Sequence, residues 1–177
     1  AQQHRQVVAD PIDALPISAA IVISYPELVK AWDSFEDKDY FDLLTGVEEL
    51  ELFFARNQLI DSLVRYDQDL KIMLAGSVVW SSYHPTDSDS LLVFHAIRPQ
   101  MGTDQRVLKA VNNALSKQGV ITEYDHDGAT IRKLVVSDPY NIVFYTVVDG
   151  LILSSSSLGL MKQSISQLKS GRSLNDD

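Results

Sequence analysis

Apolar and polar positions fall along this chain in two rhythms: alternation over short runs, and a three-to-four-residue recurrence over longer ones. "LLVFHAI", residues 91–97, is apolar on both faces and predicts a strand in the middle of a sheet. "KIMLAGSVVWSSYH", from residue 71, is rich in β-branched and aromatic residues and predicts another β segment. "VITEY" and "ATIRKLVVS" flank Asp127-Gly128, and "NIVFYTVV" and "LILS" flank Asp149-Gly150. Asp-Gly between apolar runs marks a two-residue hairpin, because both turn residues need positive φ. The helical rhythm is clearest in "TDQRVLKAVNNALSKQG". There Thr103 is the expected cap, Val107, Leu108, Val111, Ala114 and Leu115 form a stripe, and Gly119 ends the helix. A last helix follows residue 157, with Leu158, Met161, Ile165 and Leu168 as its stripe.

The first third is mostly helical in pattern. A short strand at residues 19–24 leads into "SYPELVKAWDSF", where Ser24 and Glu27 have capping-box spacing and Pro26 fits a first turn. Leu28, Ala31, Trp32 and Phe35 share a face, as do Leu59, Ile60, Leu63 and Val64 further on. Residues 37–69 therefore predict one or two more helices, a helical subdomain over one end of the sheet.

Two segments echo each other without a gap: "AAIVISYPELVKAW" and "DGLILSSSSLGLMK". In each, three apolar residues precede a serine, three connector residues and a leucine, Leu28 or Leu158. "LLVFHAI" and its helix repeat the unit with a longer loop. The serine run 154–157 stands where a helix start needs side-chain oxygens for its unpaired N–H groups. A nucleophile at such a joint wants the pattern G-x-S-x-G, and Ser155 and Ser156 lack those glycines. The expected fold is α+β: a largely antiparallel sheet with helices mainly on one face, built from repeated strand-to-helix units. Residues 1–10 read as a flexible tether, 11–171 as a single domain and 172–177 as a tail.

Composition narrows the function. With 177 residues, 45% apolar and 22% charged, the chain can bury a sizeable core. A net charge of −9 argues against nucleic acid as a partner and against docking by charge on an anionic membrane. Apolar runs are far shorter than the roughly 18 residues of a spanning helix, so membrane attachment would need a segment outside this chain. Cysteine is missing altogether, which removes thiol catalysis, disulfides and thiolate metal sites. No P-loop, G-x-G-x-x-G or H-E-x-x-H occurs, and no cofactor is expected.

Two polar clusters remain as candidate chemistry. "YHPTDSDS" brings His84, Asp87 and Asp89 close together, but Leu92 and Arg98 stand where a calcium loop needs glycine and glutamate. "YDHDG" places Asp125, His126 and Asp127 at a hairpin tip, although neighbours on a strand point to opposite faces. His95 reads as a core histidine, and Glu48, Glu49 and Glu51 as a solvated helical face. Trp32, Phe35, Tyr40, Phe41, Phe53 and Phe54 read as core, with room for an apolar groove.

The opening "LPISAAIVISYPELVKAW" and the close "YNIVFYTVVDGLILSSSSLGLMKQSISQLKSGRSLNDD" resemble a bacterial envelope family, the domain of unknown function 3352. The shared features are a Leu-Pro lead and strand, then an aromatic-bearing hairpin ending in Asp-Gly, a serine-rich cap and a helix. They are structural signatures without catalytic residues to carry over. The resemblance implies an extracytoplasmic location, in the periplasm or cell envelope, behind an N-terminal anchor, and a chain that is one module of something longer. The leading expectation is a non-enzymatic binding or scaffold module whose partner is an unknown protein or an apolar ligand. A second expectation is a metal-assisted hydrolase whose two hairpin loops converge to pool His84, Asp87, Asp89, Asp125, His126 and Asp127. A third is a carrier holding lipid among the first-third aromatics.

Overall fold

A computed structural model describes residues 9–27, 30, 33–34, 37, 46–47, 62, 65–87, 91–100, 104–136 and 142–174. Among them are seven strands: β1 Ile21–Tyr25, β2 Val79–Pro85, β3 Leu91–Ile97, β4 Gly119–His126, β5 Ala129–Val136, β6 Ile142–Val148 and β7 Leu151–Ser155. Helices whose full extent lies among the described residues are α1 Gln68–Leu74, α2 Asp104–Leu115 and α3 Leu158–Ser170, with a short 3-10 turn at Pro11–Ala14. The strands form one sheet in the order β1-β2-β3-β7-β6-β5-β4. Every pairing is antiparallel, so the fold is α+β.

Both Asp-Gly pairs make the expected turns. Asp127 and Gly128 have φ of 48° and 74°, Asp149 and Gly150 of 50° and 80°, and each pair joins its strands with a two-residue loop. The two turns sit at the same end of the sheet.

Helices cover both faces, not mainly one. On one face α1 and α2 bury Leu70, Met73, Val107, Val111 and Leu115 against Val79, Ile97, Leu134, Tyr145 and Ile152. On the other, α3 and the 3-10 turn bury Leu160, Met161, Ile165, Ala14 and Leu15 against Phe94, Ala96, Ile131, Leu151 and Leu153. The reason lies in the central strands: Leu151, Ile152 and Leu153 are all buried, so neither face of β7 tolerates water.

Three local expectations shift. Residues 71–74 are helical: Asp67 caps α1 by accepting from the Leu70 N–H at 3.1 Å, and Leu70 and Met73, three apart, turn to the core. The strand begins only after Gly76, at Val79. Ser24 lies inside β1, opposite Trp80, where a strand residue and not a helix cap is required. Among the ends, Ala9 donates to the Asp149 carbonyl at 3.0 Å, and Ser173 donates to Asp13 at 2.6 Å. Most of residues 37–69, the Thr103 cap and the helical face from Leu28 to Phe35 lie outside the described residues.

Candidate functional site

The serine run resolves into four separate roles. Ser157 caps α3, accepting from the Leu160 N–H at 3.3 Å. Ser155 donates to the Val93 carbonyl at 2.7 Å and accepts from the Ser157 N–H at 3.1 Å, tying β7 to β3. Ser154 lies in β7 opposite His95 and Tyr145. The Ser156 hydroxyl is buried without a partner. The Ser157 cap and the bonds of Ser155 within the sheet make this run the joint between β7 and α3.

Three histidine centres gather most of the chemistry. His84, on β2, shares a face with Ser82 two residues back, and the residue is only 4% exposed. Its Nδ1 lies 3.0 Å from Ser18 Oγ and its Nε2 lies 2.9 Å from Ser82 Oγ. Ser18 donates its single proton to Gln163 Oε1 at 3.2 Å. His84 therefore donates from Nδ1, and its Nε2 accepts from Ser82. Burial lowers the His84 pKa, opposed by the Ser18 backbone, so the ring is neutral at ordinary pH.

His95 is buried on the opposite face, with Nδ1 at 2.7 Å from Ser81 Oγ. Burial pushes its pKa down to about 4. The strand register places His95 in a row that crosses six strands: Ser81, His95, Ser154, Tyr145, Arg132 and Glu123. The row is bonded within itself and to α2. Arg132 Nε reaches Glu123 Oε1 at 3.0 Å, and the Tyr145 hydroxyl donates to Asn112 Oδ1 at 2.8 Å. Burial raises the Tyr145 pKa to about 12. Single-strand patterns could not disclose this row, because each member is one polar residue in its own strand and only pairing aligns them.

The third centre is the β4–β5 tip. His126 Nε2 lies 3.0 Å from Ser166 Oγ on α3 and 3.4 Å from Asp127 Oδ2, and Ser166 donates to that same Asp127 oxygen. The residue types are those of a nucleophilic triad, but the bonding is not. A triad places the carboxylate on one ring nitrogen and the serine on the other. Here both meet Nε2, and the serine proton is held by the carboxylate. The Ser166 hydrogen bond holds the Asp127 carboxyl below its ordinary range, opposed by desolvation and aided by His126 and Lys169. Ser166→Ala should accordingly raise the Asp127 pKa toward its ordinary value; an NMR titration of the Asp127 side chain that shows no change would contradict this assignment.

The sheet keeps the two predicted clusters apart. β2 and β4 are second and seventh in the strand order, so they run in opposite directions with four strands between them. His84 and exposed Asp87 lie toward one end; Asp125, His126 and Asp127 lie at the other, five strand positions across. Asp125 accepts from Thr130 Oγ1 at 3.1 Å. Asp89 lies outside the described residues. Among the described residues no three His, Asp or Glu side chains converge on a metal position. The convergence that a shared hydrolytic metal requires is therefore not met by the five described members. Trp32, Phe35, Tyr40, Phe41, Phe53, Phe54, Glu48, Glu49 and Glu51 also lie outside the described residues. A cleft of about 470 Å³ between α1 and α2 is lined by Asp69, Ile72, Arg106 and Lys109 among others, with none of the three histidines near it.

The class these observations define is an α+β protein whose histidines and serines are bonded into its own framework. Compared with family models, with curated proteins and with solved structures, the chain matches none.

Proposed function

We propose that this chain is a non-enzymatic binding or scaffold module of an envelope-anchored bacterial protein, acting outside the cytoplasm. The observation that carries the non-enzymatic part is the closed bonding of the histidine centres. His84 joins the segment bearing Ser18 to β2, and His126 joins the β4–β5 tip to α3. The protons of Ser18 and Ser166 are directed to Gln163 and Asp127 and away from the imidazoles, and Ser82, which does donate to His84 Nε2, is fully buried. A general base must accept the proton of its nucleophile. These groups are arranged as staples between elements far apart in sequence.

The extracytoplasmic part is supported by the resemblance of the opening and closing segments to the envelope family and by a composition without cysteine. No described helix is long and apolar enough to cross a membrane, and attachment would run through a segment outside this chain.

Two measurements test the reading. Purified chain, with and without added zinc, should hydrolyse ester, amide, phosphoester and glycoside chromogens no faster than buffer. Turnover that disappears in His84→Ala or His126→Ala would overturn the non-enzymatic part. Fractionation of the source bacterium should recover the protein with the envelope, accessible to protease in spheroplasts; recovery in the cytoplasm would overturn the location.

A further inference from the structure

The two edges of the sheet are protected differently. β4 carries Glu123 and Asp125 along its length, charges that discourage strand addition. β1, Ile-Val-Ile-Ser-Tyr, has no charge, proline or glycine. Ile21 is 55% exposed, Val22 37% and Ile23 39%, so apolar surface is open on both faces of this edge. Among the described residues β2 is its only strand partner.

We propose that β1 pairs with β1 of a second copy of this chain, antiparallel about a two-fold axis, to join the two sheets into one. Two features of the chain favour a copy of itself as the occupant. First, the strand is self-complementary. A two-fold axis at Ile23, the middle residue, is the register that pairs all five positions. It sets Ile21 opposite Tyr25, Val22 opposite Ser24 and Ile23 opposite Ile23. No like charges oppose one another, and the aromatic–β-branched pairs are favourable. Second, charge selects this surface. A chain of net charge −9 repels its copy over most approaches. The β1 edge is free of charge, and the first acid beyond it, Glu27, is bonded to Lys30 at 2.6 Å. A five-residue strand pair buries less than a permanent dimer needs, so association is weak and reversible. The inference extends the scaffold reading and rests on it only for its use; its failure would leave the hydrolysis and fractionation results untouched.

Sedimentation velocity of the whole chain tests it, from about 5 to about 500 µM, the range in which a contact this small associates. The weight-average mass should climb from monomer toward dimer. Ile23→Lys, which opposes two ammonium groups across the axis, should weaken association at least about tenfold. Ile23→Thr should retain it. Hydrogen exchange on the wild-type chain gives a readout that no variant's folding can disturb: outward-facing β1 amides should gain protection with concentration, and β4 amides should not. A monomer across the whole range, an Ile23→Lys chain that associates like wild type, or concentration-dependent protection confined to β4 would each overturn the proposal.

Discussion

Gln167→Ala is expected to remove about 3–5 kcal/mol of stability, a large share of what a domain of this size has. Gln167 is on α3 and only 6% exposed. Its Nε2 donates to the Asp13 carbonyl at 2.9 Å and the Leu15 carbonyl at 2.7 Å, and its Oε1 accepts from the Ile17 N–H at 3.1 Å. One side chain thus satisfies three backbone groups of a segment that has no ladder of its own there. Ala14 and Leu15 are fully buried, so water can replace those bonds only in part. Each buried group left unpaired costs about 1–3 kcal/mol, and the vacated volume adds to it. Urea denaturation measures the total. Gln167→Glu separates bonding from packing, since it keeps the shape but cannot donate to two carbonyls. It should be at least as unstable as the alanine variant at neutral pH. A Gln167→Glu chain as stable as wild type would show that the three bonds are not the source of the effect. The same segment carries Ser18, so both variants should also expose the Ile17 amide to exchange and release His84 from its Nδ1 partner.

Acidification should destabilise the fold well before the carboxylates titrate. His95 has a pKa of about 4 in the folded chain against an ordinary value of 6.5. The unfolded chain therefore binds a proton that the folded chain refuses, and stability rises with pH across that interval. The contribution is complete above about pH 6.5 and is lost progressively as pH falls toward 4. At about 1.4 kcal/mol per pH unit it amounts to about 3 kcal/mol. His84, also lowered by burial, acts in the same direction. Asp127 acts only further down, as pH falls through its depressed value. Denaturation midpoints between about pH 7 and about pH 4.5 should fall steeply for wild type, and the slope should flatten in His95→Asn whatever that variant's absolute stability. An unchanged slope in His95→Asn would remove His95 as the cause.

The elements that sequence disclosed are those with local causes. Asp127-Gly128 and Asp149-Gly150 define their turns because both residues of each must take positive φ, a property of the dipeptide itself. Ser157 and the apolar recurrence at Met161 and Ile165 define α3 in the same way. The apolar run Ile72, Met73 and Leu74 imitates a strand, and the Asp67 cap that makes residues 71–74 helical stands earlier in the chain. The candidate site was legible only as residue types. His84, His95 and His126 were visible, but Ser18, Gln163, Ser166 and Gln167 lie 39 or more residues from the groups they bond.

The clearest division lies between β1 and β7. Their sequences align without a gap and their strands span matching positions, so pattern alone determined that each is a short apolar strand ending just past a serine. Yet Leu151, Ile152 and Leu153 are buried, while Ile21, Val22 and Ile23 are exposed. Strand order decided that. β7 lies between β3 and β6 beneath helices on both faces, whereas β1 ends the sheet. A strand's own residues set its conformation through dihedral preference and alternation, but its burial depends on the neighbours that close its two edges and two faces. Those neighbours come from distant parts of the chain, and only the tertiary structure brings them together.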